Sequence, residues 1–340
     1  MLTSLPAPTL TLGMVPVRIL GSGVAFPPHA ETTAELLGRL APEVPAPRRD
    51  ALARHFDADI GVLRRAHLTQ GRAVDLAVTA ARAALEDSHT PRPIAVLVAT
   101  STPSRWTAAE SAILARELGL ACAFFDVRSG CTGGLHALVQ GARLARDAGG
   151  PVLVVGADAF SLAFGPERLL PVSMGDGAGA LVLGPSGDAT VGITRAVFGG
   201  APSLVDLATV PDLLPPSADV MARDAESRFR LDGDPEAFSE AAEAALGIAL
   251  DALLAGVLSS SDQPTALVIQ TGRASCARRV AARAGHEPYL GVLENHGNLG
   301  AGTLLVALHA LSRSPEISRV LLVSAGGGLS FGAASLRMRA

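Results

Sequence analysis

Residues 94–104 read IAVLVATSTPS, and residues 265–275 read TALVIQTGRAS. A second similar pair is VLVVGADAFS at residues 152–161 and VLLVSAGGGLS at residues 320–330. Both pairs are separated by about 170 residues, and two matches at one separation indicate a duplicated structural unit. The alternative is that buried apolar strands resemble one another through composition alone. Duplication predicts two halves of similar fold, with a functional site where equivalent strand ends converge.

Short apolar runs bounded by Gly, Pro or Asp alternate with alanine-rich helical stretches along the chain. Because the runs are continuously apolar and separated by helices, they predict a sheet covered on both faces, and hence an α/β fold. Residues 1–185 and 186–340 are the two predicted halves, and residues 201–235 predict a surface excursion. The predicted strands are 18–24, 94–99, 152–156, 178–183, 266–269 and 320–324, and the predicted helices are 75–86, 108–118 and 238–255.

Length and composition bound the class of protein. The chain has 340 residues, 49% of them hydrophobic, which suffices for one large domain or two fused smaller ones. No apolar run approaches the roughly 18 residues of a membrane span, and residues 1–18 lack the features of a signal peptide. Three cysteines without a CxxC pair form no disulfide framework, so we expect a cytoplasmic protein.

The charged residues exclude further classes of function. A dispersed net charge of −4 argues against a nucleic-acid partner. The chain contains no lysine, and this excludes Schiff-base chemistry on a lysine side chain. We also expect neither a metal site nor a bound cofactor.

Cys131 lies in the stretch FFDVRSGCTGGLHALVQGARLA, residues 124–145. A strand-like FFDV leads into small residues, and a helix is predicted to begin at or just after the cysteine. Free amide groups and the helix dipole at such a position stabilise a thiolate, which is the reactive form of cysteine. The alternative of a buried structural cysteine fits Cys122 and Cys276 better, because they lie in an apolar stretch and in an Ala/Arg-rich helix.

Four motifs follow one another along the chain: DVRSGCTGG around Cys131, MGDGAGALVLG from residue 174, ENHGNLGAG from residue 294, and AGGGLSFGAASLR from residue 325. In this order and spacing they resemble the ketosynthase III family, as in the enzyme that starts bacterial fatty-acid synthesis. The resemblance runs from ILGSGVAFP at residues 19–27 to the C-terminus. The GDGAGA run lacks the lysine of a phosphate loop, so it predicts a tight turn into a buried strand.

The resemblance implies a thiolase-like αβαβα fold of five layers and a homodimer. It also implies a two-step reaction, in which Cys131 takes an acyl group from a thioester and passes it to a second substrate. The thioester is acyl-CoA or a phosphopantetheinyl acyl-carrier protein, and both are substrates rather than cofactors. The oxyanion hole is expected to use the backbone N–H of Cys131 and one from the run 326–328, with Gly328 as the expected residue; such amides stabilise the transition state by about 3 kcal/mol each.

Members of the family carry a Cys, His and Asn set, and this chain departs from it. Asn298 matches the asparagine, but Gln270 occupies the position of the histidine. Arg273 stands where the family's HQAN-like motif ends in asparagine. His296, two residues before Asn298, is an alternative base or a loop residue, and His136 is expected to pack against its neighbours.

The expected acyl pocket also differs from that of the family. In the housekeeping enzyme a tryptophan stacks on the adenine of CoA, and the equivalent stretch near His55 has none; the only tryptophan is Trp106. Trp106 and Thr107 occupy the region that reaches across the dimer and limits the length of the pocket. If Trp106 enters the pocket, a short or flat acyl group is expected; packing in the core is the alternative.

Carrier recognition is a further difference. The carrier-binding arginine of the family is Ser275 here. Arg273, Arg278 and Arg279 are candidates for contact with an acidic carrier protein, or form a solvated basic helix face.

These observations predict Cys131-dependent acyl transfer from an acyl thioester, in metabolism of the fatty-acid or polyketide type. Three possibilities stay open. The enzyme condenses two substrates with Gln270 and Asn298 in place of His and Asn, transfers the acyl group to an oxygen, nitrogen or sulfur acceptor without forming a carbon–carbon bond, or serves as a non-catalytic partner subunit.

Overall fold

The computed structural model describes residues 5–90, 92–105, 107–162, 170–208, 233–256 and 265–339. The strands are β1 (Leu10–Leu12), β2 (Val15–Ala25), β3 (Ala30–Glu31), β4 (Arg65–Ala66), β5 (Ala95–Ala99), β6 (Ala123–Val127), β7 (Val152–Asp158), β8 (Gly177–Pro185), β9 (Gly192–Gly200), β10 (Thr265–Gln270), β11 (Arg319–Gly326) and β12 (Ser330–Arg337). The helices are α1 (Thr33–Leu40), α2 (Ala46–Asp59), α3 (Ala73–Ser88), α4 (Glu110–Glu117), α5 (Gly133–Ala148), α6 (Leu170–Ser173), α7 (Pro235–Leu254), α8 (Ala274–Ala282), α9 (Gly291–His296) and α10 (Thr303–Ser312).

Ten of the strands form one mixed sheet, and its order shows the predicted duplication. The order is β10-β11-β12-β9-β2-β8-β7-β5-β6, with β1 added beside β9. In one half β5 and β7 are parallel and β7, β8 and β2 are antiparallel; in the other, β10 and β11 are parallel and β11, β12 and β9 are antiparallel. The two series run outward from β2 and β9, which pair through Val15 and Pro16. The predicted two-half α/β fold is confirmed.

Helices cover the sheet in layers. Helices α5 and α10 lie between the two halves, and their side chains share one core with the inner faces of strands from both halves. Helix α3 packs on the outer face of β5, β7 and β8, and helices α7 and α8 pack on the outer face of β10, β11 and β12. This arrangement gives the five layers αβαβα that the resemblance implied.

Glycine residues allow the backbone to pack closely in the central layer. A Cβ atom on Gly134 of α5 would lie 2.1 Å from the carbonyl oxygen of Ala301, and a Cβ atom on Gly156 of β7 would lie 2.2 Å from the same oxygen. Backbone therefore packs on backbone around residue 301, and only glycine allows this approach. The turn that contains Ala301 is thereby fixed between α5 and β7.

The predicted elements are all present, and several elements were not predicted. Strands β9 and β12 are antiparallel to their neighbours, and the search for helix-separated apolar runs missed them. The excursion predicted at 201–235 begins with a short helical turn at Pro202–Leu207, and residues 209–232 lie outside the described residues. The division of the chain at residue 185 stays a prediction. In the described part of the chain, no helix is long and apolar enough to cross a membrane.

Candidate active site

Cys131 lies in a five-residue turn between β6 and the first residue of α5, as predicted from the sequence. The turn is closed by hydroxyl groups, because the Thr132 hydroxyl donates to the carbonyl oxygen of Ser129 and the Ser330 hydroxyl donates to the same oxygen at 3.1 Å. The Ser330 and Thr132 hydroxyls also contact each other. These bonds join the cysteine turn to the start of β12.

The glycine run after β11 lies directly against the cysteine turn. A Cβ atom on Gly326 would lie 2.6 Å from the backbone nitrogen of Cys131, and a Cβ atom on Gly130 would lie 2.8 Å from the nitrogen of Gly327. Gly328 has φ of +73°, which favours glycine, and no atom lies within 4 Å of the position of a Cβ there. The structure therefore brings Cys131 and the predicted oxyanion turn together, with open space beside Gly328.

Gln270 and Asn298 form a second, buried part of the site. Gln270 ends β10 and is 2% exposed, and Asn298 follows α9 and is 8% exposed. The Gln270 Nε2 atom donates to the carbonyl oxygen of Gly300 and contacts the Asn298 Oδ1 atom at 3.4 Å. The backbone N–H of Gly300 and the hydroxyl of Thr303 donate to the same Oδ1 atom, each at 3.1 Å.

The turn at residues 300–302 connects these two parts. Its Ala301 carbonyl contacts Gly134, the second residue of the helix α5 that follows Cys131. Its Gly300 N–H is bonded to Asn298, and its Ala301 N–H donates to Asp158 at 2.8 Å. The turn therefore links the start of α5, just after Cys131, to Asn298.

Asp158 is the charged group at the centre of this network. It is fully buried, and its Oδ1 atom accepts hydrogen bonds from the hydroxyls of Thr100 and Thr102 and from the backbone N–H groups of Ser101 and Thr102. Burial raises the pKa of Asp158 to about 6, against the opposing effect of these donors. Asp158 was not predicted from the sequence, although an acidic residue at the end of a fully apolar strand indicates a buried charged group.

The thiol of Cys131 is protonated in this environment. Burial, followed by the negative charge of Asp158, raises the pKa of Cys131 to about 12. The backbone hydrogen bond to the sulfur lowers the pKa by less than these two effects raise it. The direction of this shift is opposite to that expected from the helix start, since desolvation of the sulfur outweighs the helix end; a thiolate at Cys131 stays a prediction.

The two histidines considered as bases pack on aromatic rings. His296 stacks on Phe26 with ring centroids 3.8 Å apart, and His136 stacks on Phe198 with centroids 4.2 Å apart. Burial lowers the pKa of both imidazoles. His136 is packed as predicted, and the stacking favours the interpretation of His296 as a loop residue rather than a base.

The side chains considered for carrier binding form ion pairs and hydrogen bonds near α8. Arg273 precedes α8, where its Nη1 atom lies 3.2 Å from Asp59, and Ser275 also donates to Asp59. Arg279 forms a two-pronged ion pair with Glu243. These bonds engage two of the three arginines considered for carrier binding.

Thr107 is exposed, as expected of a residue that reaches toward another surface. Trp106 lies outside the described residues, so the prediction that it limits the acyl pocket stays a prediction. No group of three or more His, Cys, Asp or Glu side chains in the described ranges is arranged to hold a metal ion.

Comparison with known proteins gives one family. Residues 125–201 match the family described as 3-Oxoacyl-[acyl-carrier-protein (ACP)] synthase III, and residues 259–338 match its C-terminal counterpart. Beta-ketoacyl-[acyl-carrier-protein] synthase III 3 of Streptomyces coelicolor is 33% identical over 339 residues, covering 94% of this chain and 96% of that protein. Acetoacetyl CoA synthase NphT7 of a Streptomyces species is 43% identical over 145 residues, which are 40% of this chain and 43% of that protein.

Solved structures agree with these relatives. The priming beta-ketosynthase of the R1128 polyketide biosynthetic pathway is similar with a TM-score of 0.81 at 25% identity, covering 97% of this chain and 99% of that one. The 3-oxoacyl-(acyl carrier protein) synthase III of Pseudomonas aeruginosa has a TM-score of 0.79 at 24% identity, covering 96% and 99%. The chain belongs to the ketosynthase III family of the thiolase-like superfamily, whose members are acyl-transferring condensing enzymes.

Proposed function

We propose that this protein transfers an acyl group from a thioester to a second substrate through an acyl-enzyme on Cys131. The observation that carries the proposal is the contact between the Cys131 turn and the glycine turn at Gly326, with the Gln270–Asn298 pair on the adjoining turn. A carbonyl bound beside the cysteine would have the backbone amides of Cys131 and Gly328 as oxyanion donors. Both relatives named above are synthases that act on acyl thioesters, by their names.

The first step needs no external base in its overall balance. The Cys131 sulfur forms a bond to the acyl carbon, the bond between that carbon and the donor sulfur breaks, and the thiol proton passes to the departing thiolate. Because the pKa of Cys131 is raised to about 12, this proton must move as the sulfur attacks rather than beforehand.

For the second step we favour condensation over transfer to an alcohol. A malonyl-type substrate loses carbon dioxide, and the electron pair of the broken bond first forms an enolate and then attacks the acyl carbon. The bond between that carbon and the Cys131 sulfur breaks, and the released sulfur takes up a proton from water to return to the thiol. This sequence requires a hydrogen-bond donor for the enolate oxygen, and the Asn298 Nδ2 group supplies one. Transfer to an alcohol requires a base for the hydroxyl proton, and the neutral amide of Gln270 is not a base.

The acyl donor and the assembly complete the proposal. One relative is named for an acyl-carrier protein and the other for CoA, so both donor types belong in the test. We propose that neither a metal nor a bound cofactor takes part. We further propose a homodimer in the cytoplasm, where three free cysteines stay reduced.

Intact-mass spectrometry tests the acyl-enzyme. Incubation with acetyl-CoA, and separately with an acetylated carrier protein, should add one acetyl group to the wild-type chain. The adduct should be absent from Cys131→Ala and present in Cys122→Ala, the matched control at a partly exposed cysteine. A wild-type protein that takes up no acyl group from either donor would contradict the proposal and favour a non-catalytic partner subunit.

Carbon dioxide release then separates the second steps. Adding malonyl-CoA or a malonylated carrier to the acetylated enzyme should release carbon dioxide and yield an acetoacetyl thioester. Release of the acetyl group to an amine or thiol acceptor, without carbon dioxide, would show transfer to a heteroatom in its place.

A further inference from the structure

A buried hydroxyl lies directly behind Gln270. Ser324 is on β11, opposite Gln270 in the parallel register of β10 and β11, and it is fully buried. Its hydroxyl donates to the Gln270 Oε1 atom at 2.5 Å. A buried donor and a buried acceptor are thus satisfied by each other, on two adjacent paired strands.

This bond selects one orientation of the Gln270 amide. With Oε1 held by Ser324, the Nε2 atom faces the Gly300 carbonyl and the Asn298 Oδ1 atom, which are both acceptors. The reversed amide would place its oxygen against these two oxygens, and that contact is repulsive. Gly300 and Ser324 therefore act together to keep the amide nitrogen toward Asn298.

Gln270 contributes, together with Gly300 and Thr303, to the orientation of the Asn298 amide. The Asn298 Oδ1 atom accepts from Gln270, Gly300 and Thr303, so its lone pairs are fully used. Its Nδ2 group points the other way and has no hydrogen-bond partner among the described residues. The Asn298 Nδ2 group is therefore the donor of the Gln270–Asn298 pair that is free to bind a substrate carbonyl.

We infer that Ser324 is a positioning residue, which acts through Gln270 to hold the Asn298 Nδ2 group toward the substrate carbonyl in the second step. The inference rests on the proposed function, because it assigns Nδ2 to the enolate oxygen. The line Ser324–Gln270–Asn298 is a relay of neutral groups, and none of the three gains or loses a proton near neutral pH. Preorganised donors of this kind act mainly on the transition state.

Ser324→Ala in the full-length protein tests this inference. The acetylated enzyme is mixed with malonyl-CoA, and carbon dioxide release is followed against substrate concentration. We expect kcat to fall about tenfold with KM changed less than about twofold, because one buried hydrogen bond that acts in the transition state is lost. Ser324→Thr, which keeps the hydroxyl, should recover most of the loss.

Ser335→Ala is the matched control. Ser335 is an equally buried serine on the neighbouring strand β12, and its hydroxyl has no hydrogen-bond partner within the part of the chain that the structure describes. Its loss should change kcat less than about twofold, since no bond is broken. An equal fall in Ser324→Ala and Ser335→Ala would show a general packing effect and would overturn the inference.

A double-mutant cycle establishes the route of the effect. Gln270→Met removes the amide at similar size, and in that background Ser324→Ala should cause no further fall in kcat. A full additional tenfold fall would mean that Ser324 does not act through Gln270, and would refute the positioning role.

Two further measurements keep the inference separate from the proposed function. Acetylation of Cys131 in the wild-type protein tests the proposed function alone. If the wild-type protein takes up no acetyl group, the proposed function fails independently of the role of Ser324. If the wild-type protein is acetylated but releases no carbon dioxide, a crystal structure of Ser324→Ala decides. A rotated Gln270 or Asn298 amide supports the inference, and unchanged amides that keep the 3.4 Å contact overturn it.

Discussion

At the scale of single residues, two neutral amides, Gln270 and Asn298, lie in contact in the buried part of the candidate site. Gln270, which the family resemblance predicts to stand in the place of a histidine, can donate and accept hydrogen bonds but is not a base. Its amide is fully used by Ser324, Gly300 and Asn298. The pair is therefore held by hydrogen bonds alone, and Gln270 offers no acid–base chemistry at this position.

Cys131 itself yields a pH-dependent prediction. Because its pKa is raised to about 12, the thiol is the main form at every pH between 7 and 10, and the thiolate fraction rises about tenfold per pH unit. The rate of alkylation of Cys131 by iodoacetamide, followed by mass spectrometry of the peptide that contains it, should rise in the same proportion. A rate that is already constant above pH 7 would show a thiolate and contradict this picture.

At the scale of elements, the contact between two turns decides whether the oxyanion site forms. Gly326 at the end of β11 packs its Cα against the Cys131 nitrogen, while the hydroxyls of Thr132 and Ser330 bridge the same turns. The amide donors are therefore positioned by backbone packing of glycine and by hydroxyl groups, with no need for a large side chain.

Gly326→Ala tests that contact. A Cβ atom on residue 326 would lie 2.6 Å from the backbone nitrogen of Cys131 and 3.0 Å from that of Thr132. Because both are backbone atoms, the substitution must displace one of the two turns. We expect the rate of Cys131 acetylation to fall about 100-fold, the cost of losing one oxyanion donor. Gly327→Ala is the neighbouring comparison, since its Cβ would meet only the Ala208 oxygen at 3.7 Å. Equal losses in both variants would argue against a special role for the Gly326 contact.

At the scale of the whole molecule, the sheet ends in an exposed strand. Strand β6 has β5 as its one sheet neighbour in the described part of the chain, and residues 123–125 are exposed. Phe124 and Phe125 are 50% and 40% exposed, which is costly for aromatic side chains on a free sheet edge. Because Cys131 follows β6 directly, pairing of β6 with a second copy of this chain would also hold the nucleophile turn.

The proposed homodimer can be tested at this edge. Phe125→Asp should convert the dimer to monomer at micromolar concentration in analytical ultracentrifugation, since a charge would be buried without a partner. Leu52→Asp, at an exposed position of α2, is the matched control and should leave the dimer intact. A wild-type protein that sediments as a monomer would refute the dimer.

Sequence alone was sufficient for the features that depend on local pattern. The repeated apolar runs predicted β5, β7, β10 and β11, because buried strands between helices must be continuously apolar. The position of Cys131 before a helix was readable for the same reason, since strand, small residues and helix follow one another in the chain. The family was also readable, from motifs whose order the chain preserves.

Tertiary structure alone decided which distant groups touch. Ser324 is 54 residues from Gln270 and lies beside it only because β10 and β11 are parallel and in register. Desolvation of the sulfur, and after it the charge of Asp158, raises the pKa of Cys131, and neither effect has a counterpart in an extended chain. The amino-acid sequence thus specified the elements and the nucleophile, while the packing of those elements specified its protonation and the orientation of its partners.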